Sequence, residues 1–406
     1  MTGAGHADRG HEDHAAHDHG GANTPRPGAP QGTLPVLQAP GRTNTLPLAP
    51  LHLKSGWHPA PVYGWTLPLW FGGLYDEQIA ARTTAAIFDR SHLGRFYVTG
   101  EHAPDVLGRV LATDPHDVPP RGVRRAVICR EDGSIMDIAT LCHLDPGRWL
   151  VVTGPRAQVA LREAVEAAIA PGEDVLVRDR MGESVLLSVQ GPNAAALLEQ
   201  VLGPTLPHAV PPGEAHELLL GGYRALVART SQIGEDGYWL VTSGEVGEHL
   251  WESAVNAGIV PAGLAAHDAL RIEAGVLESP HETPAPATPA AAGLDALVQL
   301  DAADGSPRAF PGAAALRAAQ PPARVIVGLR IEGRRLATRG ARVHAAGRDA
   351  GACVAAAWSA KLGSQVALAY LPPGAAGVTV TVDGEALPAE VVALPFLSPR
   401  PPSGGR

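Results

Sequence analysis

The sequence predicts an α+β fold, a larger α/β region followed by a small C-terminal β-barrel domain, and three observations carry that expectation. Between residues 43 and 319, stretches with the two-residue period of strands alternate with stretches of helical period. Beyond the break at Gln320-Pro-Pro322 only short β-type runs recur, separated by Gly and Pro, as in a small barrel or sandwich. A chain of 406 residues also exceeds the usual size of one domain, so at least two folded units are expected.

In chain order, the first element is a tail. Residues 1–42 are rich in Gly, Pro, Ala and polar residues, with too few large apolar side chains to offset the entropy of ordering, which predicts disorder. His6, His11, His14, His17 and His19, set among Asp8, Glu12, Asp13 and Asp18, allow loose coordination of a transition metal. A solvated tail is the favoured reading, because a flexible tract lacks the supporting shell of a dedicated site. Further on, 126–129 and 135–141 are β-type runs joined by Glu131-Asp-Gly133, and an Asp-Gly pair between apolar runs predicts a hairpin. Residues 149–152 supply a third strand. After Thr153, read as a helix N-cap, Leu161, Val165, Ala168 and Ile169 fall on one helical face. Strands at 223–228 and 238–241 flank Glu235-Asp-Gly237, read as a tight turn. Helices are expected at 247–256 and 265–273, and barrel strands at 325–331, 366–371 and 378–382. The Pro- and Gly-rich residues 397–406 are expected to be disordered.

Composition narrows function by exclusion. With 32 Lys+Arg against 41 Asp+Glu the formal net charge is −9, which argues against a nucleic-acid partner. The three cysteines are widely spaced and odd in number, suggesting neither a disulfide framework nor a metal knuckle, and they suit a reducing, cytoplasmic location. No apolar run approaches the roughly 18 residues of a membrane helix, and the N-terminus lacks the apolar core of a signal peptide. Asp89, Ser91 and His92 are spaced too tightly for a hydrolase triad and read as loop organisers. His281-Glu282 is not followed by the second histidine of a His-Glu-x-x-His zinc motif, so no metal site is assigned.

The most informative strings are Gly263-Leu-Ala-Ala-His-Asp-Ala-Leu-Arg-Ile-Glu-Ala-Gly275 and, upstream, Ile233-Gly-Glu-Asp-Gly-Tyr-Trp-Leu240. With Ala81-Arg-Thr-Thr-Ala-Ala-Ile-Phe-Asp-Arg-Ser-His-Leu-Gly94, Leu187-Ser-Val-Gln-Gly-Pro-Asn-Ala194, Phe310-Pro-Gly312 and Leu362-Gly-Ser-Gln-Val-Ala-Leu-Ala-Tyr370, they resemble the aminomethyltransferases, the T-proteins of glycine cleavage. In order over roughly three hundred residues, such strings are far more specific than any one of them. The resemblance implies a T-protein-like folate-binding α/β region followed by the β-barrel domain. It implies tetrahydrofolate as cofactor, a lipoyl carrier protein as partner, and movement of an aminomethyl group from the lipoyl arm to tetrahydrofolate with release of ammonia.

The departures from the family pattern fall where folate is handled. The family's hairpin strand carries two adjacent aspartates, the second being the catalytic carboxylate. Here Asp137 fills the first position and Ile138 the second, and neighbours on a strand point to opposite faces. Trp239 stands where the resemblance places a pterin-binding glutamate, and His267 where it places an arginine; Gln232 and Ile233 replace a tyrosine and a threonine. The candidate site is therefore Asp137 for catalysis, with Ile138, Glu235, Trp239, His267 and Arg271 at the binding positions. The bland readings are that Glu235 serves the turn and that Arg271 and Glu273 pair with each other or with neighbours. Trp239 either fills the pterin pocket or stacks on a different small planar ligand. Two functional readings stay open: a folate-dependent aminomethyl or one-carbon transferase with a rearranged acid, and a non-catalytic descendant that binds folate, another planar ligand or a partner. The superfamily's iron–sulfur maturation branch is least favoured, because Glu278-Ser-Pro-His-Glu282 lacks that branch's cysteine.

Overall fold

The computed structural model describes residues 43–400 apart from 204–205, 221, 279–281 and 285. The histidine-rich tail 1–42, His281 and residues 401–406 lie outside the described residues. The elements that build the central region are, in chain order, helix α1 (Leu74–Thr83), β1 (Ala86–Asp89), β2 (Gly94–Thr99), β3 (Val123–Cys129), β4 (Ile135–Asp145) and β5 (Arg148–Thr153). There follow α2 (Gln158–Ala167), β6 (Leu176–Asp179), β7 (Val185–Gln190), β8 (Ala215–Leu220), β9 (Tyr223–Arg229), β10 (Gly237–Thr242), α3 (Gly244–Asn256), β11 (Val260–Pro261) and α4 (Leu264–Glu273).

The strands form two main sheets. One is five-stranded in the order β3-β4-β5-β2-β6, and the other is six-stranded in the order β8-β9-β10-β7-β1-β11. A smaller three-stranded sheet of Asn44–Thr45, Trp65–Trp70 and His58–Val62 precedes them. The expected Asp-Gly hairpin forms between β3 and β4. Gly133 sits at φ 78°, Asp132 Oδ1 accepts from the Ser134 amide at 2.9 Å, and Arg130 N donates to Ser134 O at 2.8 Å.

Strand β10 is buried on both faces, and its period of two divides its side chains between two cores. Tyr238 and Leu240 pack with Val185, Leu187 and Trp251 of α3. Trp239 and Val241 point the other way, into the seam between the two sheets, among Leu93, Cys142, Leu150, Val152, Leu226 and Ala228. The site lies at one end of this seam.

The C-terminal part is a closed six-stranded barrel of Val325–Ile331, Ser364–Leu371, Arg348–Ser359, Arg342–Ala345, Val378–Val382 and Glu385–Val392, in that order around the ring. Closure leaves no open sheet edge, which suits so short a set of strands. Gly312, in the Phe310-Pro-Gly string that precedes the barrel, packs on the β3–β4 hairpin: at φ 85° a Cβ there would stand 2.5 Å from Arg130 O, so glycine lets this segment lie against the hairpin. All three cysteines are free and buried. Among the described residues no helix is long and apolar enough to cross a membrane.

Three local expectations change. Thr153 is not a helix N-cap; it ends β5, its hydroxyl donates to Gly154 O at 3.0 Å, and α2 begins at Gln158 after Ala157. Residues 230–236 are a loop rather than a tight turn, closed by Thr230 N donating to Gly237 O at 2.9 Å and by the buried Arg229–Asp236 pair at 2.6 Å. The disorder expected from 397 is not seen in its first four residues, since Leu397 N donates to Glu273 O at 3.2 Å and Arg400 N to Gly234 O at 2.9 Å.

Candidate functional site

At the end of the inter-sheet seam lies a cavity of about 70 Å³. Strand β4 presents Ile138 and Thr140 to it, β10 presents Trp239, and the segment after α4 presents Val276, Leu277 and Glu278. Arg125, Gln232 and Leu93 complete the parts of the wall that matter chemically.

The alternation along β4 decides which of the two neighbouring positions faces the cavity. Ile138 does; Asp137, only 1% exposed, is on the other face, where its Oδ2 accepts from the Gly154 amide at 3.0 Å. The structure therefore does not bring the candidate catalytic aspartate to the cavity. Trp239 is 2% exposed, and its indole Nε1–H is buried without a hydrogen-bond acceptor among the described residues. Gln232 is anchored by its own amide, which donates to Gln190 Oε1 at 3.0 Å, and its Oε1 accepts from Ser188 Oγ at 3.2 Å.

Glu235, His267 and Arg271 are placed beside the cavity's walls and not in them. Glu235 is buried in an ion pair with Arg82 at 3.1 Å. Arg271 pairs with Asp268 and with Glu282, each at 2.9 Å, and Glu273 pairs with Arg82 at 2.7 Å, so Arg271 and Glu273 meet neighbours rather than each other. His267 is fully buried against the Phe88 ring, with Nδ1 3.4 Å from an Arg90 guanidinium nitrogen. Burial, and then the charge of Arg90, hold its pKa well below the usual histidine value. His92 beside it is pushed down to about 3, again by burial first and Arg90 second. Both imidazoles are therefore neutral at pH 7, and they border a pocket of about 10 Å³ with Asp89 and Arg90.

Sequence reasoning did not single out Glu278 as a site residue. It is the carboxylate that reaches the cavity, held 2.7 Å from Arg90. Burial by itself would raise its pKa, but Arg90 and Arg271 outweigh burial and hold it well below the usual carboxylate range. Arg125 stands by, its Nη2 donating to Leu277 O at 2.7 Å. His267, Asp268 and Glu278 offer ligand atoms within 4.8 Å of one another, a spacing that a metal ion could use. Their carboxylates are already met by Arg271 and Arg90, so the charge there is balanced without a cation. The signal for Glu278 was weak, because its partner Arg90 is 188 residues away in the chain.

The wall thus offers one ionised carboxylate, one guanidinium, an indole with an unused donor and several aliphatic side chains. That set can orient a flat, compact molecule; it has no proton to give from a carboxyl at pH 7.

Comparison with known proteins places this architecture. The chain matches the GCVT N-terminal domain over residues 48–302 and the glycine cleavage T-protein C-terminal barrel domain over residues 324–397. It is 38% identical over 348 residues to an aminomethyltransferase of Streptomyces coelicolor, covering 82% of this chain and 92% of that one. It is 36% identical over 366 residues to an aminomethyltransferase of a Synechococcus species, covering 86% and 97%. Its fold superimposes on the crystal structure of glycine cleavage system aminomethyltransferase T from Bartonella henselae with a TM-score of 0.80 at 27% identity, covering 88% and 99%. The mixed α/β region with its closed barrel is the T-protein architecture, and the chain belongs to the glycine cleavage T-protein, or aminomethyltransferase, family.

Proposed function

We propose that the protein is a member of this family that has lost tetrahydrofolate-dependent aminomethyl transfer and uses its central cavity to bind a compact flat ligand. One observation carries the reading: Trp239 and Ile138 stand together in a cavity of only about 70 Å³. Sites for drug-sized ligands run from about 300 Å³ upward, so the residues present do not fit tetrahydrofolate and leave room only for a ligand far smaller than that, of the order of a single small ring. The positions at which the family resemblance calls for a pterin-binding and a catalytic carboxylate carry an indole and a butyl group, neither of which accepts a hydrogen bond. A small ligand that lies against the edge of the indole and donates to Glu278 would satisfy the wall.

A second reading has one observation in its favour. Glu278, held ionised at the cavity, is placed to stabilise a developing positive charge, which is half of what the missing aspartate would do. Under it the protein transfers an aminomethyl or one-carbon group with a rearranged carboxylate, and a lipoyl carrier protein is its partner.

Titration of the full chain with tetrahydrofolate, followed by calorimetry and tryptophan fluorescence, tests both. The proposed reading expects no saturable binding by the wild type, and micromolar binding once Trp239→Glu and Ile138→Asp are combined. Micromolar binding by the wild type, with release of ammonia from an aminomethyl-lipoyl carrier, would overturn it in favour of the second.

A further inference from the structure

Between the five-stranded sheet and the β8–β9 hairpin lies a basic groove of about 490 Å³ that the cavity chemistry does not use. Register builds its floor: Tyr97 on β2 is paired with Arg178 on β6, and Thr99 with both Arg148 on β5 and Leu176 on β6, which sets these side chains on one face of the five-stranded sheet. The β8–β9 hairpin supplies the facing wall. There Arg224 lies opposite Leu219, and Glu217 opposite Leu226.

The charges in the groove do not cancel. Arg148 forms a bidentate pair with Glu217, at 3.0 and 2.5 Å, and Arg180 pairs with Glu183. Arg178 and Arg224 line the same groove, are exposed, and form no ion pair among the described residues, although the charge of Arg224 also acts on Glu217. Beside these two guanidiniums are two exposed leucines: Leu176, in the groove, at 61% exposure, and Leu219, cross-strand from Arg224 at the groove's rim, at 70%. Arginine and aromatic surface beside bare aliphatic groups is the composition of a protein interface, and a small anion would leave the leucines uncovered.

We propose that this groove docks an acidic partner protein, whose carboxylates meet Arg178 and Arg224 and whose apolar side chains cover Leu176 and Leu219. The proposal is independent of what occupies the central cavity. The test is fluorescence anisotropy of the full chain with a labelled peptide of glutamates interspersed with leucines, and with its lysine counterpart. The expected result is binding of the acidic peptide alone, weakened by salt, and reduced roughly tenfold or more in R178E/R224E and several-fold in L176S/L219S. Charge reversal at Arg334 and Arg348, exposed on the barrel, should leave the affinity unchanged. All the substituted side chains are exposed, so thermal melting should stay close to wild type. Failure of the acidic peptide to bind, or binding indifferent to R178E/R224E, would overturn the proposal. So would tripolyphosphate displacing the peptide while L176S/L219S changes nothing, which would make the groove a small-anion site.

Discussion

The chemistry of the cavity turns on which side chain carries charge, and Glu278 is the residue to perturb. Changing it to Gln removes the negative partner of Arg90, a guanidinium with a side chain only 2% exposed, and leaves that charge buried among neutral imidazoles. The expected cost is about 2–3 kcal/mol by urea unfolding at pH 7. His92 and His267 make a separate prediction with the opposite chemistry. Their folded pKa values lie below the unfolded histidine value, near 6.5, so below that pH the unfolded chain takes up protons that the folded chain refuses. Stability should be full above pH 6.5 and fall as the pH drops from there toward 3, at about 1.4 kcal/mol per pH unit for each histidine. Replacing His92 with Asn should flatten that slope by about one decade in the unfolding constant per pH unit; an unchanged slope in a folded variant would show that His92 is protonated in the native state. The replacements at 138, 239 and 267 were readable from the chain because the family strings on either side fix their positions, and strand periodicity then says which of Asp137 and Ile138 faces the cavity. Arg90, Arg125 and Glu278 were not, since three segments distant in sequence must fold before they meet.

Elements were legible where the local signal and the final packing agree. The Asp-Gly pair specified its hairpin, and the apolar run at 238–241 specified a strand, though not that it is buried on both faces. Thr153 misled because a residue of good capping type followed a strand, while the real helix start, Ala157, carries no side-chain cap. The loop at 230–236 departs from the expected tight turn because its Asp-Gly pair does not serve that commonest use; Asp236 is buried to hold Arg229, so the loop is longer than the local signal suggests. The hairpin itself gives a sharp prediction. Gly133 adopts φ 78°, and a Cβ would come within 3.2 Å of the Leu316 side chain, so Gly133→Ala combines left-handed strain with a contact that Leu316 must relieve. The expected loss is about 1–2 kcal/mol, measured by denaturant unfolding, and the partner variant Leu316→Ala should recover only the steric part.

At the scale of the whole molecule, composition and string order gave the two-part plan, but the way the chain's end ties the parts together was hidden in a segment whose Pro and Gly content pointed to disorder. Arg82, on α1, is buried at the centre of that tie: it bonds Glu273 on α4 at 2.7 and 3.0 Å, Glu235 at 3.1 Å, and the carbonyls of Ile233 and Leu270 at 2.7 and 3.0 Å. The segment leaving the barrel closes over it, with Phe396 N donating to Glu273 O at 2.8 Å, Arg400 N to Gly234 O at 2.9 Å, and Arg400 Nη1 to Arg82 O at 3.2 Å. Replacing Arg82 with Ala strands two buried carboxylates and should cost about 3–5 kcal/mol. Among the described residues, truncation after Phe396 removes the hydrogen bonds donated by Leu397 N, Arg400 N and Arg400 Nη1, at about 1 kcal/mol each, and the half-exposed Arg400–Glu235 ion pair, so it should cost about 2–4 kcal/mol. If the tail acts through the same tie, the two changes share partners and their effects should fall short of adding; strict additivity in urea unfolding of the double variant would show that the tail's contacts and the Arg82 cluster are energetically separate.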